Sequence, residues 1–216
     1  MRSLLDIAAP AVCVGCGAVG DELCAICAER VDVLTGPRCS RCGVPAHGQP
    51  LSCPGCRDFR GFGRARSLVT FAEPARTLTL ALKRRGRPPL VRAVGDLLSG
   101  LARAEGLWTG EEIVAFVPAG RKARAAGFDH VELIAKAVAR RLGVRLERLL
   151  YRINDGPRQS DVPFAARRTN VRNRFASRPA HDRVLLIDDV YTTGATAEAC
   201  SLALRAAGAR SVDVLT

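Results

Sequence analysis

Along the second part of the chain, short apolar runs alternate with stretches of helical period. Residues 67–71 (SLVTF) and 112–117 (EIVAFV) read as strands, the second halted by Pro118. Residues 77–83 and 90–104 read as helices. Over 131–142, Leu133, Ile134, Ala137, Val138 and Leu142 recur at helical spacing, with Gly143 placed to end the helix. Residues 184–187 (VLLI) form a four-residue apolar strand, 196–207 a helix stopped by Gly208, and 212–215 a last strand. Strands alternating with helices predict an α/β domain built on a parallel sheet, in which ligands bind at the carboxyl ends of strands.

One such strand end carries unusual chemistry. The run VLLI is followed by Asp188 and Asp189 and then by a small, hydroxyl-rich turn, VYTTGAT. Two adjacent acids closing a buried strand suffer desolvation and mutual repulsion unless a polar or cationic group meets them. Gly194 permits close backbone approach, and the helix that follows presents unpaired N–H groups to the turn. That geometry suits a phosphate. Carboxylates one sugar ring away suit ribose hydroxyls, or Mg2+ held through them, so the combined target is a ribose 5-phosphate.

The first part of the chain is built differently. Eight of the nine cysteines form four C-x-x-C pairs: Cys13/Cys16, Cys24/Cys27, Cys39/Cys42 and Cys53/Cys56. Each pair lets two thiolates converge on one metal, so eight ligands suit two structural Zn2+ sites. CVGCG followed by CAIC, and CSRCG followed by CPGC, repeat as units. Sequential pairing is the economical arrangement, although spacing leaves a crossed one open. His47 reads as a loop histidine beside an already sufficient ligand set, and Cys200 as a small buried side chain in the helix after Gly194. The expected domains are a double zinc-ribbon module over 1–58 and a second domain over 59–216.

Charge divides along the same line. Residues 1–56 hold four basic and five acidic side chains, whereas 57–216 hold twenty-nine basic and sixteen acidic, so the second part carries the whole excess of the +12 chain. An excess of that sign attracts polyanions, either phosphorylated small molecules or nucleic acid. At 216 residues and 48% apolar content the chain can bury a sizeable core. No apolar run approaches the roughly 18 residues of a membrane span, and Asp6 interrupts the N-terminal stretch MRSLLDIAAPAVC, so a soluble cytoplasmic protein is expected.

Four apolar residues, two acids and TTGAT resemble the phosphoribosyl-pyrophosphate motif of type I phosphoribosyltransferases. Joined to the N-terminal C-x-x-C pairs, the motif resembles the ComF family of competence-associated, phosphoribosyltransferase-like proteins over essentially the whole chain. The resemblance implies a type I phosphoribosyltransferase fold preceded by a small zinc-ribbon module. It implies that Asp188 and Asp189 bind the ribose hydroxyls and serve catalysis, and that Thr192, Thr193, Gly194, Ala195 and Thr196 hold the 5-phosphate. Mg2+ would accompany phosphoribosyl pyrophosphate. Transfer of phosphoribose to a nitrogen nucleophile, with loss of pyrophosphate, is the implied activity; single-stranded DNA and competence-machinery proteins are the implied further partners.

Two more segments carry the resemblance. VPAGRKARAAGFDH, residues 117–130, is similar to the family's pyrophosphate-holding segment, and Arg121, Lys122 and Arg124 would supply its cations. The chain has Ala126 and Asp129 where the family has Arg and Asn, and the segment is about one residue short. RINDGPRQSDVPFAARRTNVRNRF, residues 152–175, is similar to the family's flap pattern through Arg152, Gln159, Ser160, Arg167, Asn170 and Phe175. Closure of such a flap would keep water from the activated sugar. A third basic cluster, LKRRGRPPL over 82–90, reads as a solvated face. A non-catalytic alternative remains: a nucleic-acid-handling or regulatory protein that keeps the phosphoribosyl pocket as a nucleotide sensor.

Overall fold

A computed structural model describes residues 11–45, 53–85, 87–120, 127–153 and 174–216. Seven strands appear among them: β1 (Ala65–Arg66), β2 (Ile113–Phe116), β3 (Leu146–Glu147), β4 (Leu150–Arg152), β5 (Phe175–Ser177), β6 (Arg183–Ile187) and β7 (Ser211–Leu215). Helices α1 (Ala25–Glu29), α2 (Ala75–Arg85), α3 (Pro88–Ala104), α4 (His130–Leu142) and α5 (Ala195–Ala206) accompany them. Five strands form one parallel sheet in the order β1-β7-β6-β2-β3, and β4 and β5 form an antiparallel pair beside it. The architecture is therefore α/β, a central parallel sheet flanked by helices, after an N-terminal zinc-ribbon module.

The strand β6 explains why the sheet is central. Its four apolar residues are all buried, which requires cover on both faces. Val184 and Leu186 pack into a cluster with Cys200 and Leu204 of α5, whereas Leu185 and Ile187 pack into another with Leu98 of α3 and Val138 of α4. Burying each of these side chains contributes about 1.5–3 kcal/mol. At Gly95, α3 runs so close to α4 that a Cβ there would collide with Ala137. Gly143, in the left-handed conformation at φ 78°, ends α4 as its position in the sequence predicts.

The expected strand over 67–71 does not form. Pairing of β1 with β7 stops at Arg66 and Leu215, and the chain then follows the zinc module. Leu34 N–H donates to the Leu68 carbonyl, Thr70 N–H donates to the Asp32 carbonyl, and Val33 bridges Val69. Competition between two partners for one apolar run thus ends the strand after two residues. The module is also held by charge: Glu105, just beyond α3, meets Arg38 at 3.1 Å and Arg66 at 2.7 Å. No helix among the described residues is long and apolar enough to cross a membrane.

Candidate functional site

Strand β6 delivers Asp188 and Asp189 to the carboxyl edge of the sheet. The Asp188 N–H continues the strand by donating to the Leu215 carbonyl, and the Asp189 N–H donates to Asp188 Oδ1 at 2.9 Å. Asp188 is 8% exposed. Burial, and then the charge of Asp189, push the Asp188 carboxyl well above its ordinary range. Burial pushes Asp189 up as well, but the hydrogen bond from His130 and the charge of Lys83 outweigh it and hold that carboxyl below its ordinary range. The pair therefore divides into one firm anion and one carboxylate of raised proton affinity.

His130 and Lys83 come from different elements. His130 opens α4 and places Nε2 2.8 Å from Asp189 Oδ2; Lys83, near the end of α2, places Nζ 2.6 Å from the same oxygen. Both side chains thus meet one oxygen of Asp189, Oδ2. Sequence reading treated residues 82–90 as a solvated basic face and gave His130 no role. The available signal was the position of His130 at the N-terminus of a helix following a core strand; the pairing of Lys83 with a residue more than a hundred positions away left none.

Asp129 has a structural task. Its Oδ1 accepts N–H groups of Val131 and Glu132 as the N-cap of α4, while its Oδ2 accepts the Ala119 N–H at 2.8 Å. One carboxylate thus closes the segment between β2 and α4 and fixes His130 at its start.

Downstream of the acids, the chain turns through Gly194 at φ 74° into α5. Thr193 Oγ1 accepts the Ala195 N–H at 3.4 Å, and Asp188, Thr192, Gly194, Ala195 and Thr196 line a small hollow. A Cβ at Gly194 would meet both Tyr191 and Phe59, so only glycine fits. Tyr191 packs edge-on to Phe62, and Phe59 and Phe62 belong to the same apolar cluster as Cys39, Cys42 and Cys56. The turn consequently rests on the second cysteine group.

Cysteine geometry decides between the sequential and crossed arrangements. Cys13, Cys16, Cys24 and Cys27 converge in one group and Cys39, Cys42, Cys53 and Cys56 in another, with all sulfurs of a group within 4.8 Å of one another. Cys16–Cys24, Cys39–Cys56 and Cys53–Cys56 sulfurs lie 3.7 Å apart and Cys42–Cys53 3.4 Å. A tetrahedron with Zn–S of about 2.3 Å has edges of roughly 3.8 Å, so both groups fit a structural zinc ion. Cys200 is fully buried in α5, as expected.

Arg152 is tied to the segment after β2 and to β5. Its Nε donates to the Pro118 carbonyl at 2.9 Å and its guanidinium stacks 4.7 Å over Phe175, at the end of β2. His47, Arg121, Lys122, Arg124, Gln159, Ser160, Arg167 and Asn170 lie outside the described residues. A cavity of about 590 Å3 is lined by the zinc module, α2 and α3 together with His130, Asp188, Asp189 and the Tyr191–Thr192 turn.

Comparison with solved structures finds a similarity to the glutamine phosphoribosylpyrophosphate (PRPP) amidotransferase from B. subtilis complexed with ADP and GMP. It has 22% identity and a TM-score of 0.42, and covers 63% of this chain and 30% of that one. A structure of the allosteric regulatory enzyme of purine biosynthesis shows 21% identity, a TM-score of 0.41 and the same coverage, 63% and 30%. The chain thus spans about 30% of the length of each. No curated protein matches by sequence. Residues 4–59 match the family model of the double zinc ribbon domain, and with its two four-cysteine groups the first module is a double zinc ribbon.

Proposed function

We propose that the chain is a ComF-like, phosphoribosyltransferase-type protein that binds phosphoribosyl pyrophosphate, or a ribose 5-phosphate nucleotide, at the carboxyl end of β6. One observation carries the reading: a buried acid and a half-buried one stand directly ahead of a positive-φ glycine turn and the N-terminus of α5. Asp188 and Asp189 accept the ribose hydroxyls, and the N–H groups and hydroxyls of residues 192–196 hold the 5-phosphate.

In the transfer itself, the lone pair of an acceptor nitrogen forms the bond to the anomeric carbon of ribose. The bond from that carbon to the pyrophosphate oxygen breaks, and pyrophosphate leaves with the electron pair. Asp189, kept ionised by His130 and Lys83, faces the positive charge that builds on the sugar. Asp188, whose burial raises its proton affinity, takes the proton shed by the nitrogen. Arg121, Lys122 and Arg124 face the leaving group, and the segment with Gln159, Arg167 and Asn170 closes over it. The acid pair offers the hard oxygens that Mg2+ takes alongside phosphate oxygens. Bound there, Mg2+ would neutralise charge on pyrophosphate.

Calorimetry with Mg2+ and phosphoribosyl pyrophosphate tests the binding. The expected result is a 1:1 complex that Asp188→Asn/Asp189→Asn abolishes; absence of binding by the natural chain overturns the reading. The basic excess of residues 57–216 favours a further role in the cytoplasmic handling of single-stranded DNA during DNA uptake. Steep salt dependence of single-stranded DNA binding that survives the double substitution is the outcome expected of it.

A further inference from the structure

The sugar-phosphate reading leaves the cavity of about 590 Å3 beside the acids without a task. Its volume falls in the roughly 300–1,000 Å3 range of small-molecule sites. Val31 and Leu34 of the zinc module, Leu78 of α2, Val94 of α3, and Phe71 supply walls, and the acid pair with His130 stands at one end.

Apart from Tyr191 and Thr192 of the turn beside the acids, the polar side chains of the wall are engaged. Ser67 and Thr216 hydroxyls bond to each other at 2.7 Å, Thr70 donates to Asp32 at 2.9 Å, and Thr79 donates to the Ala75 carbonyl at 2.9 Å. The backbone there is engaged too: Leu68 N–H donates to the Thr216 carbonyl and Thr70 N–H to the Asp32 carbonyl. A nucleobase seated here would bury several donors and acceptors without partners, each unmade bond costing roughly tenfold or more in affinity. An apolar ring whose N–H meets Asp188 leaves fewer groups unpaired than a nucleobase does.

We infer that this cavity binds a small, largely apolar ring compound that presents one N–H group to Asp188, and that this compound is the acceptor of the phosphoribosyl group. The acceptor role rests on the phosphoribosyltransferase reading; the ligand class rests on the walls alone. The zinc ribbon is then part of the acceptor site as well as a structural module.

Equilibrium binding to the zinc-loaded chain tests this with benzimidazole as the apolar probe and adenine and uracil as polar comparators, each with and without Mg2+-phosphoribosyl pyrophosphate. Benzimidazole is expected to bind at least about tenfold more tightly than either comparator. Val94→Trp and Val31→Trp, which fill the cavity from opposite walls, are expected to weaken benzimidazole at least about tenfold while leaving phosphoribosyl pyrophosphate binding within about twofold. The inference is overturned if adenine or uracil binds as well as benzimidazole, if benzimidazole does not bind the natural chain, or if both folded variants bind it unchanged. Should benzimidazole bind as expected while phosphoribosyl pyrophosphate does not, the ligand class stands and the acceptor role falls. The ranking of the three probes on the natural chain needs no variant to fold.

Discussion

His130 Nε2 lies 2.8 Å from Asp189 Oδ2, joining the first residue of α4 to the acid pair at the end of β6. The contact gives a direct test of how Asp189 is held. His130→Ala is expected to lower phosphoribosyl pyrophosphate affinity about tenfold, and His130→Gln, whose amide can still donate, to restore part of it. Calorimetry on the two variants reads the difference; equal loss in both would mean that the ring acts by packing alone.

Lys83 meets the same oxygen at 2.6 Å but its side chain is 38% exposed, so solvent screens it. Lys83→Met is expected to cost a smaller factor, about three- to fivefold in the same affinity. Its effect should shrink as salt rises from 0.05 to about 0.5 M, because screening removes what the charge contributes.

The acid pair makes opposite contributions to stability as pH changes. Asp188 has a folded pKa above its unfolded one, so the native state binds more protons there and stability falls as pH rises past the ordinary carboxyl range. Asp188→Asn mimics the protonated form. It is expected to raise stability by about 1 kcal/mol near pH 7, or ~2–4 °C in melting temperature, with the gain vanishing near pH 3.5.

Asp189 behaves in the reverse sense. Its folded pKa is held below the unfolded value, so its contribution is present above the ordinary carboxyl range and is lost as pH falls through the folded value. Asp189→Asn is expected to lower stability by about 2 kcal/mol near pH 7 and progressively less in acid. Thermal melts of both variants at several pH values check the opposed signs.

The two zinc centres should not be equivalent. Cys39, Cys42 and Cys56 share an apolar cluster with Phe59 and the buried face of α5, whereas Cys16 and Cys24 lie at or near the surface. Cys42→Ser is expected to lower the melting temperature by more than ~10 °C and to abolish phosphoribosyl pyrophosphate binding; Cys16→Ser should do neither to the same degree. Metal analysis should find two zinc per natural chain and one in each variant.

Sequence alone revealed what depends on neighbours along the chain. Strand β6 was legible because four consecutive apolar residues need cover on both faces, α4 because its apolar stripe ends at Gly143, and the turn into α5 because Gly194 follows the threonines after the two acids. The cysteine groups were legible by spacing, and only their pairing waited for geometry. What remained hidden depends on distant partners. β3 is two residues long and pairs with β2 alone, and β4 with β5 makes a sheet too short for periodicity to announce. Residues 67–71 carry a strand-like pattern but bond to the zinc module, a choice that no local signal records. Lys83 looked like one cation among several, and only the packing of α2 against the acid edge singles it out.

Asp129 has an evolutionary corollary. Because one carboxylate anchors Ala119 on one side and the start of α4 on the other, the nine positions between them can gain, lose or exchange residues without displacing His130. Lengthening a closed loop costs little entropy. Side chains within that segment can therefore be exchanged while the acid pair keeps its geometry.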